Sequence, residues 1–172
     1  MRVFALRPAG LLIFALLLTA CTITFEPWVE VRPMVQLLPS PRIEVFEPHR
    51  GAGAAYRVGE PISFMIRTNA DGYVTLSALD ADGEVYVFAR NIRVRANRTQ
   101  EISGIGPRQQ FVVDPPFGRH HVRASFTPDR TDERVVYIGV RGRDAWLQRI
   151  TLELRLFDDF DQRETTFNVV RR

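Results

Sequence analysis

Lysine is absent from this chain of 172 residues, and cysteine occurs once, at Cys21. All 23 basic side chains are therefore arginine, set against 20 acidic ones, for a formal net charge of +3. A single thiol excludes an internal disulfide, so the fold must rest on apolar packing. So small and dispersed an excess of positive charge excludes the concentrated basic face of a nucleic-acid binder, and no nucleic acid is expected as a partner. Histidine is scarce. His49, His120 and His121 have no zinc-type spacing, and two neighbours on a strand point to opposite faces. No metal ligand and no cofactor is expected. The chain has no Gly-x-Ser-x-Gly elbow, and Gly104-Ile105-Gly106-Pro107 lacks the strand-loop-helix frame of a phosphate loop. No catalytic residue is assigned, and the expectation is that the protein is not an enzyme. Long apolar runs are missing too: a spanning helix needs roughly 17–25 such residues.

The longest apolar stretch is Leu11-Leu12-Ile13-Phe14-Ala15-Leu16-Leu17-Leu18, preceded by Arg2 and Arg7 and followed by Thr19-Ala20-Cys21. A positive start, a short apolar run and small residues before a cut site make a secretory leader. Leu18-Thr19-Ala20-Cys21 resembles the lipobox of bacterial lipoproteins. The resemblance implies cleavage after Leu18, Thr19 and Ala20, and diacylglyceryl transfer to Cys21. Two or more acyl chains anchor stably where one does not, so a membrane is the first expected partner. Thr22 follows the cysteine rather than an Asp, which points to the outer membrane. Loss of Arg2 and Arg7 with the leader brings the charge closer to zero, so the pI of about 9.6 overstates the basicity of the mature chain.

Three regions follow from composition: a leader at 1–20, an extended tether at 21–42, and one domain at 43–172. Pro27, Pro33, Pro39, Pro41 and Pro48 disfavour helix through the tether and just past it. Trp28 suits either a lipid interface or a cap on the domain. Ile43 and Val45 alternate with charged residues, so Ile43–Glu47 is expected to join the domain as an edge strand.

From Tyr56 onward the period is two. Ile62–Arg67, Tyr73–Leu79 and Glu84–Phe88 read as strands separated by Asn69-Ala70-Asp71-Gly72 and Asp80-Ala81-Asp82-Gly83. That pattern predicts a three-stranded antiparallel meander. Thr99–Ile102, Gln110–Val113, Val122–Phe126, Arg134–Val140 and Thr165–Val170 are further strand candidates. Ile150–Phe157 alternates apolar and polar residues strictly, although Trp146, Ile150, Leu154 and Phe157 also fit a helical spacing. Because Leu152 and Leu156 fit only the shorter period, a strand is expected there, with Asp144 capping one helical turn before it. Strands at regular spacing with turns between them make an all-β sandwich.

Tyr56-Arg57-Val58-Gly59-Glu60, the strand Ile62–Arg67, Asp71-Gly72-Tyr73-Val74 and Asp80-Ala81-Asp82-Gly83 together resemble domain-of-unknown-function family 4384. The resemblance runs from Tyr56 to about Phe126. It departs at Phe88-Ala89-Arg90-Asn91, where the family often shows Phe-Pro-Asn. It implies an immunoglobulin-like antiparallel β-sandwich in an exported or envelope protein, and it brings no catalytic residues.

Asp71, Asp80 and Asp82 read as turn residues bonding nearby backbone N–H groups, as does the acidic run Asp158-Asp159-Phe160-Asp161. Arg90, Arg93, Arg95 and Arg98 form the densest basic patch. Arg93 and Arg95 share a strand face, and their planar forks suit carboxylates and phosphates. Phe117, presented by Pro115 and Pro116, is a second contact candidate. These observations point to a non-enzymatic, lipid-anchored envelope protein that acts in assembly or binds a protein partner. The alternative is an accessory module that binds a small ligand or a glycan.

Overall fold

The computed structural model describes residues 42–106, 109–132 and 136–171. The expected leader, Cys21, Trp28 and all but Arg42 of the expected tether lie outside the described residues. β1 (Ile43–Pro48) buries Ile43 and Phe46 and exposes Glu44 and Glu47, three residues apart because the register shifts between Ile43 and Val45. β1 pairs antiparallel with β3 (Phe64–Thr68), which pairs in turn with β6 (Thr99–Ile102). A second sheet has the order β2-β10-β9-β4-β5, from β2 (Ala55–Arg57), β4 (Gly72–Leu79), β5 (Val85–Val94), β9 (Gly118–Thr127) and β10 (Asp161–Val170). Its pairs are antiparallel except for the short edge strand β2, which runs parallel to β10. A small hairpin joins β7 (Gly104–Gly106) to β8 (Gln109–Gln110).

The two sheets share one core. Phe46, Phe64 and Ile66 of the first sheet pack with Leu76, Phe126 and Phe167 of the second. An order β1-β3-β6 facing β10-β9-β4-β5 matches the immunoglobulin-like arrangement, with strands A, B and E in one sheet and G, F and C in the other. The all-β, immunoglobulin-like sandwich expected from the sequence is the observed fold.

The expected meander is not. β3 and β4 are consecutive but lie in different sheets, so only β4 and β5 form a hairpin. The Asp80–Gly83 turn is a true reversal: Asp80 N–H donates to Glu84 O at 3.0 Å, and Asp80 Oδ1 accepts from the N–H groups of Asp82 and Glu84. The Asn69–Gly72 segment instead crosses between sheets. Asp71 Oδ1 accepts from the distant Ala96 N–H at 2.7 Å. Gly72 lies against β9 so closely that a Cβ there would sit 2.5 Å from both the Phe126 ring and the Thr127 carbonyl.

The second correction is the strand expected at Ile150–Phe157. Arg143–Leu154 is a helix, α1. Its start is Gly142 at φ +78°, and Asp144 sits in the first turn without capping the helix through its side chain. Trp146, Ile150 and Leu154, four residues apart, bury one face, whereas Leu152 and Leu156 are 57 % and 77 % exposed. The helix covers the outer face of the five-stranded sheet, where Leu79 and Val85 join Trp146 and Ile150 in a second apolar cluster. β10 is already paired on both edges, by β2 and β9, which leaves no seat beside it for the preceding segment as a strand. Residues 136–140, within the expected strand Arg134–Val140, form a turn instead. Tyr137 and Val140 point inward, and Ile138 is 90 % exposed.

Candidate functional site

At one end of the sandwich the sheets part to leave a cleft of about 480 Å³. Its deep wall is made by side chains that alternation turns inward: Phe64 on β3, Ala78 on β4, and His120 and Val122 on β9, each at most 2 % exposed. Aromatic rings carry this wall outward. Phe64 lies 5.9 Å from Phe88, and Phe88 meets Phe111 edge to face at 5.1 Å. At the mouth stand Tyr86, Ile105 and Val112, with Gln109, Gln110 and Asp114 as the polar rim. Among the described lining residues there is no arginine.

His120 is the buried polar group of this site. Its ring stacks on Phe167 at 5.1 Å, and Nε2 lies 2.8 Å from the Pro116 carbonyl oxygen. A carbonyl only accepts, so Nε2 carries the proton in this contact. In the neutral ring Nδ1 is then a bare acceptor, and it has no hydrogen-bond partner among the described residues. Orphaned buried acceptors are rare because losing water without a replacement bond is unfavourable. Tyr86 is perturbed as well: desolvation, and then the carboxylates of Asp80 and Asp114, push its hydroxyl up to about 12.

The arginine candidates separate. Asn91, at φ +54°, sits in an irregularity of β5, where Ile92 pairs with Val74 and Ala89 with Leu76. Next to it, Arg90 is turned toward α1 and forms an ion pair with Glu153. The Tyr137 hydroxyl donates to that carboxylate at 2.7 Å, and the Arg90 guanidinium lies 5.6 Å from the Tyr137 ring centre. Arg90 therefore ties the helix to the sheet. Arg93, Arg95 and Arg98 remain exposed, and no ion pair among the described residues engages them. Val94, between the first two, is buried. Phe117 is half exposed under the Arg171 guanidinium, 5.5 Å from its ring centre, and does not line the cleft. Leu18, Thr19, Ala20 and Cys21 lie outside the described residues.

The two adjacent histidines do face opposite ways. His121 lies on the outer face with Nδ1 2.9 Å from Glu164 Oε1. Desolvation alone would raise the Glu164 carboxyl, but hydrogen bonds from Arg123, His121 and Arg143 outweigh it and hold the pKa below its ordinary value. His49 is used internally, with Nδ1 3.3 Å from the Tyr56 hydroxyl. Asp161 of the acidic run accepts from the Ile43 N–H at 2.7 Å.

Sequence reasoning did not find the cleft. Phe88, Phe111 and Val122 carry the same alternation signal as any core position. Whether a ring fills a core or walls a gap depends on where the sheets diverge.

Residues 55–130 match the family model described as a domain of unknown function (DUF4384). The matched span runs from β2 through β9 and contains every cleft-lining residue described except Phe167. No curated protein and no solved structure matches the chain.

Proposed function

We propose that the protein is a lipid-anchored, non-enzymatic binding module of the bacterial cell envelope, with the cleft between its sheets as the binding site. The observation that carries this reading is the aromatic cleft itself, at 480 Å³ within the usual size of a small-molecule pocket. The non-catalytic part is supported by the lining. Among the described residues it offers no serine, threonine or cysteine nucleophile, and the Tyr86 hydroxyl, at about 12, is poorly matched to proton transfer near neutral pH. The anchor is supported by Leu18-Thr19-Ala20-Cys21 and the absence of any other cysteine. Thr22 after the cysteine favours the outer membrane as its location.

The test uses chain produced in its native host. Cys21→Ser is expected to move the protein from the membrane fraction to the soluble one, and the mass of the wild-type N-terminal peptide is expected to include a diacylglyceryl group. An unmodified Cys21 with the leader still attached refutes the anchor. For the cleft, Ile105→Asp with Val112→Arg places charge at an exposed mouth without touching the core. A small molecule that co-purifies with the wild-type chain and is lost from this variant supports the site; none on the wild-type chain, or unchanged retention by the variant, refutes it.

A second reading, a protein partner in envelope assembly, is favoured by Arg93, Arg95 and Arg98, which are exposed and have no ion-pair partner among the described residues. Recovery of a stoichiometric partner from detergent-solubilised membranes supports it. If Arg93→Glu with Arg95→Glu leaves that recovery unchanged, the arginine surface is not the contact.

A further inference from the structure

We infer that the corner of the sandwich around Tyr73 docks on the anionic phosphate headgroups of the bilayer that carries the anchor. This rests on the anchored reading and adds which face of the domain turns to the lipid. β1 runs from Ile43, opposite Thr68, to Pro48, opposite Phe64 of the cleft wall, so the chain enters the domain at the end away from the cleft. Arg42 is exposed there, with its N–H on Asn69 Oδ1, and the sequence before it leads back to Cys21. The arginines lie at the same end. On β4 Val74 faces the shared core, so Tyr73 faces the other way, directly opposite Arg93 of β5 on one side and Thr127 of β9 on the other. Residues so paired share a face, with Cβ atoms about 5 Å apart. Just beyond β9, Arg130 lays its guanidinium over the Tyr73 ring, 5.5 Å from its centre. A guanidinium thus approaches the ring from each side. Stacking orients the planar group and leaves its N–H forks for phosphate oxygens, and a tyrosine ring suits the headgroup level. Arg95 continues the face of Arg93, and Arg98 follows in the loop to β6. Arg93, Arg95, Arg98 and Arg130 are exposed, and no ion pair among the described residues engages them. α1 meets the sheet nearer the cleft, at Ser77 through Trp146 and at Arg90 through Glu153. Of the carboxylates in this corner, Asp71 spends Oδ1 on the Ala96 N–H, and Asp129 is exposed beside Arg130. The run Asp158-Asp159 precedes β10, two strands away from β4, so it is the β4–β5 side that suits an anionic surface.

Cosedimentation with lipid vesicles tests this on the Cys21→Ser chain, in which no acyl group contributes to binding. Vesicles of phosphatidylglycerol and phosphatidylcholine are expected to bind it about tenfold or more tightly than phosphatidylcholine alone. Added salt is expected to shrink that preference. Arg93→Glu with Arg130→Glu should abolish it, and Arg95→Glu with Arg98→Glu should reduce it, each with a urea midpoint like that of the parent chain. Equal binding to the two kinds of vesicle, or a preference that both double variants keep, overturns the docking corner. A protein partner whose recovery depends on these arginines, with no preference between vesicles, overturns it in favour of the second reading. A preference that persists although native Cys21 proves unmodified supports the corner and refutes only the anchor.

Discussion

At the scale of single residues, the acidic and alkaline limits of stability rest on different side chains. Glu164 has its pKa lowered in the folded state by Arg123, His121 and Arg143. Its stabilisation is complete above the unfolded carboxylate value and is lost as pH falls through the folded one. On the alkaline side Tyr86 is raised to about 12, and Tyr56 and Tyr137 are raised as well, chiefly by burial. The unfolded chain gives up these protons first, near pH 10, so stability should fall as pH rises from there toward 12. Urea midpoints measured across pH are expected to show both limbs. Glu164→Gln should flatten the acidic limb, and Tyr86→Phe should reduce the alkaline one. None of these shifts is legible in the sequence. His121 and Glu164 are 43 residues apart and meet only because β9 and β10 pair.

At the scale of elements, α1 shows how a period can mislead. Ile150, Leu152, Leu154 and Leu156 alternate as a strand would, yet only Ile150 and Leu154 are buried. The helix wins because its other spacing, Trp146-Ile150-Leu154, meets an apolar strip on the outer face of β4 and β5. It also pairs polar groups across the contact between helix and sheet: Trp146 Nε1–H donates to Ser77 Oγ at 3.0 Å, and Glu153 receives Arg90 and Tyr137. The contrast is measurable. Ile150→Ala should cost about 2–5 kcal/mol, whereas Leu152→Ala should change stability by no more than about 0.5 kcal/mol. A strand would have made the two costs alike. The Arg90 patch is resolved in the same way. Sequence spacing groups four arginines, and the irregularity at Asn91 sends one of them under the helix while three stay in solvent.

At the scale of the whole molecule, β4 joins two apolar clusters that share no residue. Val74, Leu76 and Ala78 face the other sheet, and Leu79 belongs to the cluster beneath α1. Losing either cluster strips one face of the same strand, so the sandwich and its helix should unfold together. With Trp28→Phe, Trp146 becomes the sole indole and reports on the helix layer. Its fluorescence and the strand-dominated far-UV signal are expected to change at the same urea concentration. Two separate midpoints would show that the helix layer melts by itself.

What the sequence alone determined was local: the two-residue period of the strands, the reversal at Asp80–Gly83, and with these the all-β class. Each of these signals is complete within a few neighbouring residues. Only the tertiary structure decided which strands pair, that Asn69–Gly72 crosses between sheets, that Ile150 and Leu154 belong to a helix, and that core residues near His120 also line a cleft. Those outcomes depend on surfaces brought together from distant parts of the chain. A side chain's alternation says that it faces inward, and the elements arriving opposite it decide whether it meets another side chain or open space.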